Sequence, residues 1–160
     1  MSRGSQDSPL PDDENVLRAN KIPENFEPGQ LLTRQIFNTE LSDKDKQDEN
    51  PKLSVYAKSL TTEIQACKLI GTGLTHRLVA SIQVEAIRTV SDEIPLDVVW
   101  DEPKLENETT DTRPGAEGHA GILGLKRPPG IEKTKFKDLQ SKLADLASKN
   151  YKILTEEDLL

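Results

Sequence analysis

The stretch Gly115-Ala-Glu-Gly-His-Ala-Gly-Ile-Leu-Gly-Leu125 decides how the rest of the chain is read. As a phosphate-cradling loop it would open a helix and make the protein a nucleotide binder. As a strand entered through a turn it belongs to a small sheet. A Walker loop needs G-x-x-x-x-G-K-[ST], and a dinucleotide fingerprint needs G-x-G-x-x-G between strand and helix, because amides at a helix N-terminus hold the phosphates. Gly118, Gly121 and Gly124 fit neither spacing, and the stretch runs into Arg127-Pro128-Pro129, where no helix begins. The strand reading accounts for the same residues: Ala120, Ile122 and Leu123 enter a sheet, the glycines permit close approach of backbone, and Gly118 supplies the turn. The glycine pair in Ile70-Gly-Thr-Gly-Leu-Thr-His76 precedes a strand-like run and reads as a loop.

Downstream, Pro128-Pro129-Gly130 breaks the chain, after which Phe136, Leu139, Leu143 and Leu146 recur at three and four residues. Lys133, Lys137, Lys142 and Lys149 lie largely off that stripe, so the spacing predicts an amphipathic helix over 132–148. Asn150 suits a left-handed helix end, and Tyr151, Ile153 and Leu154 fold back on the core before an acidic tail at 155–160.

Upstream, Leu96 to Trp100 is β-branched and aromatic and suits a central strand. Residues 76–90 begin as a strand and continue at helical spacing through Val84, Ala86, Ile87 and Val90. Leu53-Ser54-Val55-Tyr56 alternates as a strand. Ser59 or Thr61 then caps a helix carrying Glu63, Ile64, Ala66, Cys67 and Leu69, ended by Gly71 and Gly73. Val16 to Ile22, stopped by Pro23, reads as an edge strand with the pair Leu31-Leu32 beyond it. Residues 38–51 form a solvated polar loop. Residues 101–118 have no period and are long for a structureless connection, hence mobile or functional. Residues 1–15 carry almost no apolar side chains and read as a disordered tail.

The expected architecture is a single α+β domain over 16–154, with a mostly antiparallel or mixed sheet of four or five strands. A long C-terminal helix packs on it beside two shorter helices. A chain of 160 residues holds one core, and a hydrophobic fraction of 34% is low enough to leave part of it unpacked. No internal repeat points to a solenoid.

Composition also bounds function. The net charge of -7 opposes long-range attraction to nucleic acid or anionic membranes. No apolar run approaches the roughly 18 residues that a spanning helix needs. One cysteine, Cys67, forms no internal disulfide, and Met1 is followed by Ser-Arg-Gly-Ser-Gln-Asp rather than an apolar signal segment, so a reducing, cytoplasmic setting is expected.

Candidate chemistry is sparse. His76 and His119 could form a metal or phosphodiesterase-like site with Asp101 or Glu102 if their strands were neighbours. No H-E-x-x-H, H-x-H or G-x-S-x-G motif accompanies them, and Cys67 on a helix face reads as a small buried hydrophobe. No cofactor is expected. The lysines of the C-terminal helix, with Lys133, Lys137 and Lys142 foremost, offer a positive face for an acidic protein. A nucleic-acid strand is a lesser alternative, since aromatic residues make up only 4% of the chain.

The order of these short motifs resembles a family of small uncharacterised bacterial proteins. The residues that carry the resemblance are Phe37, Leu53-Ser54-Val55-Tyr56, Thr61-Thr62 with Glu63, Val79 to Arg88, Asp101 with Pro103, and His119-Ala120. The chain departs from the pattern in having Leu-Leu-Thr-Arg-Gln-Ile-Phe at 31–37, where an Arg-Pro-Ser type step is usual. The resemblance implies a small α+β domain and no established activity. The functional expectation is therefore a non-enzymatic bacterial protein-interaction module, an accessory or immunity-type adaptor. A small metal-dependent hydrolase or nuclease using His76, His119 and Asp101 is the alternative.

Overall fold

The computed structural model describes residues 3–22, 52–71, 76–105, 107–126 and 129–159. Pro23, Leu31, Leu32, Phe37, Gly73 and the polar run 38–51 lie outside them.

Among the described residues, six strands and three α-helices form an α+β domain. The strands are β1 (Asn15–Ile22), β2 (Leu53–Ala57), β3 (His76–Gln83), β4 (Asp97–Trp100), β5 (His119–Leu123) and β6 (Tyr151–Leu154). They pair antiparallel throughout in the order β4-β5-β2-β1-β3-β6. The helices are α1 (Glu63–Leu69), α2 (Val84–Arg88) and α3 (Lys133–Ala147). Two expectations change here. The sheet has six strands rather than four or five, because Tyr151 to Leu154 pairs with β3 instead of merely folding back. β1 is also not an edge: it lies between β2 and β3 and pairs with both.

Side-chain alternation divides the sheet into two unlike faces. Val16, Leu53, Val55, Leu78, Ala80, Ile82, Val98, Trp100, Ala120 and Ile122 share one cluster with Leu139, Leu143, Ala144 and Ala147 of α3. The helix docks through the stripe its spacing predicts, with Leu143 fully buried and Phe136 and Leu146 partly so. On the other face, Leu17, Ala19 and Val79 pack against Ala66 and Cys67 of α1, with Leu159 of the C-terminal turn closing the cluster. The tail expected at 155–160 is thus partly packed. Helix α1 is capped by Thr62 rather than Ser59 or Thr61: its hydroxyl accepts from the Gln65 amide while the Gln65 side chain accepts from the Thr62 amide. Ile64, expected on the buried side of α1, points to solvent.

β4, expected to be central, ends the strand order, and the N-terminal segment lies along its open side. The amide of Trp100 donates to Ser8, and those of Asp7 and Leu10 donate to Trp100 and Val98, at 2.9–3.0 Å. Leu10 is buried, and Arg88 donates to its carbonyl at 2.6 Å while pairing with Asp12 and Asp97. The tail expected at 1–15 is therefore packed over its described part. Composition counts side chains, whereas the open backbone groups of an edge strand offer a partner to any extended segment.

The connection 101–118 is likewise held at its end: Thr61 donates its hydroxyl to the Gly115 carbonyl at 2.7 Å, and Ala116 is buried. Gly115 has a φ of 86°, open to glycine at little cost.

Candidate functional site

The pleat that buries Leu53, Val55 and Ala57 turns Ser54 and Tyr56 to the opposite face, and in β5 it does the same for His119 and Gly121. Register then sets the neighbours. Tyr56 stands opposite His119 and Ser54 opposite Gly121, so Ser54 and His119 are diagonal partners on one face. Their side chains meet, with Ser54 Oγ 2.6 Å from His119 Nε2. The Tyr56 ring leans on the imidazole, with centroids 5.5 Å apart and planes at 52°.

Trp100 pairs with Ala120, so Asp101, one residue later, stands beside His119, and its amide donates to the His119 carbonyl at 3.2 Å. His119 Nδ1 lies 3.2 Å from the Asp101 carbonyl oxygen and 3.7 Å from its Oδ2. The carboxylate is itself held. Gln6 Nε2 donates to Oδ1 at 2.8 Å, and Lys52 Nζ lies 3.4 Å from the same atom. Lys52 also pairs with Asp7, so the packed N-terminal segment is one wall of this cluster. The stem of Lys52 crosses Gly121, where an added Cβ would meet Lys52 Cβ at 2.6 Å.

Electrostatics follow from this packing. Burial lowers the pKa of His119 and outweighs the opposing pull of Asp101, so the ring is held in its neutral form at neutral pH. Burial pushes Asp101 upward, but the Gln6 amide, His119 and Lys52 together hold it below the ordinary carboxylate value. With His119 uncharged, Gln6 and Lys52 carry that effect. The Arg113 guanidinium, bonded to Asp111 at 2.7 Å, keeps the Asp111 carboxyl low. Burial raises the Tyr56 hydroxyl.

Ser54 is also fixed through its backbone. Paired residues of β1 and β2 run from Val16 with Ala57 to Leu17 with Tyr56. Beyond them, Arg18 Nη1 donates to the Ser54 carbonyl at 2.9 Å. Burial brings the Arg18 guanidinium down to about 10.

The sequence-predicted candidates separate. His119 and Asp101 come together. His76 starts β3 opposite Ile22, whereas His119 aligns through Tyr56 and Leu17 with Ser81, three strands across and five residues along. At about 4.8 Å per strand and about 3.3 Å per residue, the histidines lie roughly 20 Å apart. Cys67 is buried, with its thiol pushed up to about 12 by that burial. Among the described residues, no group of three or more His, Cys, Asp or Glu side chains is placed to hold a metal ion. On α3, Lys133 and Lys142 are exposed and Lys137 is half-buried, with Lys142 paired to Asp138 at 3.3 Å, and Lys149 is exposed just past the helix end. No helix of the described residues is long and apolar enough to cross a membrane.

Sequence reasoning missed Ser54. The alternation of Leu53-Ser54-Val55-Tyr56 assigns it to the polar face, but only the β2–β5 register brings it to His119. Beside this cluster, a cleft of about 410 Å³ is lined by Arg3, Glu102, Pro103, Thr110, Asp111 and Glu117. Comparison of the chain with protein-family models, with curated proteins and with solved structures finds no match in any of the three.

Proposed function

We propose that this domain is a protein-interaction module, a bacterial accessory or immunity-type adaptor that works in the cytoplasm. The observation that carries the reading is the division of labour on α3. Leu139, Leu143, Ala144 and Ala147 are committed to the core, leaving Lys133, Lys142 and Lys149 exposed on a chain whose net charge is -7. The net negative charge repels a polyanion such as nucleic acid at long range, while the local cationic patch attracts an acidic surface at short range, which favours a protein partner over nucleic acid.

The test is reversal of that patch. Lys133→Glu, Lys142→Glu and Lys149→Glu, combined in one folded variant, should lose the partner recovered by affinity purification of the wild-type chain, and wild-type capture should weaken with salt. Recovery of the same partner by both proteins would refute the assignment. A metal-dependent hydrolase built on His76, His119 and Asp101 draws no support from a register that holds the imidazoles far apart.

A further inference from the structure

We propose that Ser54 is a nucleophile with His119 as its base, so that this face of the sheet accepts acyl groups from small activated esters. The inference goes beyond the binding reading and uses no residue of α3.

The geometry carries it. Hydroxyl, imidazole and carboxylate follow one another from β2, β5 and the residue after β4, with 2.6 Å between Ser54 Oγ and His119 Nε2. Such a relay is recognised by geometry and roles rather than by sequence position. The second ring nitrogen faces the Asp101 carbonyl at 3.2 Å, an acceptor only, so the proton of the neutral ring belongs on Nδ1. Nε2 is thereby left with its lone pair toward Ser54. The Asp101 carboxylate, 3.7 Å from Nδ1, is placed to stabilise the imidazolium that forms when the ring takes a proton. Gln6 and Lys52 fix Asp101, and Arg18 fixes the backbone of Ser54, so each member of the relay is oriented by a neighbour.

Access is partial. The His119 side chain retains 19% of its exposure and that of Asp101 27%, which restricts the substrate to short esters.

The step balances without a further reactant. Ser54 Oγ attacks the ester carbonyl carbon while its proton passes to His119 Nε2. The C–O bond to the alcohol then breaks, and the departing alcohol takes the proton from Nε2, leaving Ser54 acylated and His119 neutral. Water, deprotonated by the same nitrogen, can release the acid and restore Ser54. With the Lys52 ammonium held by Asp7 and Asp101, oxyanion stabilisation is modest and the acyl-serine should accumulate.

The experiment treats the full chain with p-nitrophenyl acetate, and separately with a fluorophosphonate, near pH 7.5. Intact mass and peptide mapping then read the adduct. The expected result is one acetyl or phosphonyl group on Ser54, absent in Ser54→Ala and formed at least about tenfold more slowly in His119→Gln, as loss of a general base requires. Ser54→Cys should restore labelling, which separates lost chemistry from lost fold. The rate should climb with pH as His119 loses its proton, with Asp101, Glu102, Asp111, Arg3, Lys52 and Tyr56 the other ionisable groups near the ring. An unlabelled Ser54, adducts confined to lysines, or wild-type labelling of a folded His119→Gln would each overturn the proposal.

Discussion

The two faces of the sheet are made from the same strands and do opposite work. On the α3 side, Val16, Val55, Leu78, Ile122 and their neighbours meet Leu139 and Leu143 in one continuous apolar cluster. On the other side, among the described residues, α1 covers the end around Leu17, Ala19 and Val79, and toward β2 and β5 the face carries Lys52, Ser54, Tyr56 and His119. A face that buries only hydrocarbon contributes stability. A face that half-buries a hydroxyl, an imidazole and a carboxylate gives up hydrophobic stabilisation and must satisfy each polar group by hydrogen bonds. Stability is therefore expected to concentrate on the first face and chemistry on the second.

Substitutions can break that division, and the largest effect is expected in the dry face. Leu143→Ala should cost about 2–5 kcal/mol in denaturant unfolding, as a large-to-small change at a fully buried site. A cost below about 0.5 kcal/mol would mean that α3 is loosely docked. Next comes Gly118→Ala, whose new methyl would collide with the Thr61 hydroxyl that anchors the Gly115 loop. A loss of about 1–3 kcal/mol is expected, as for other overpacked sites, and an unchanged midpoint would show that Thr61 moves aside freely. Ser54→Ala removes one half-buried hydrogen bond and should cost only about 0.5–1.5 kcal/mol. A larger loss would make Ser54 a structural residue.

The pH dependence sharpens the comparison further. Folding holds His119 below its ordinary value of about 6.5, so as pH falls through that value the unfolded chain gains a proton that the folded one refuses. Stability should decline on acidification from about pH 7.5 toward pH 5.5, and His119→Gln should flatten that decline. Asp101 and Asp111, held below the usual carboxylate value, act only at lower pH, where their stabilisation is lost as they protonate. An undiminished slope in His119→Gln would place its origin elsewhere.

Much of the dry face was legible in the sequence, and little of the polar one. The period of Phe136, Leu139, Leu143 and Leu146 marks α3 because a helix facing one core repeats its apolar residues locally. The alternation at Leu53 to Tyr56 and the β-rich run at His119 to Leu123 mark two strands for the same reason. Neither pattern says which strands pair, so β1 read as an edge and β4 as central. The Ser54–His119 contact joins residues 65 positions apart and depends wholly on that pairing. The N-terminal segment was misread because its main contribution is backbone hydrogen bonding to β4, which leaves no apolar period. His76 and His119 share a residue type, and residue type alone carries no distance.

The central claim, that the polar face holds a serine poised on a neutral imidazole, is tested most directly by nitrogen-15 NMR of the two histidine rings across pH. For His119 it predicts the Nδ1-protonated tautomer with Nε2 accepting from Ser54, persistence of the neutral ring below about pH 6.5, and a shifted Nε2 resonance in Ser54→Ala. A His119 ring protonated on Nε2 at neutral pH, or an Nε2 resonance indifferent to Ser54→Ala, would contradict it.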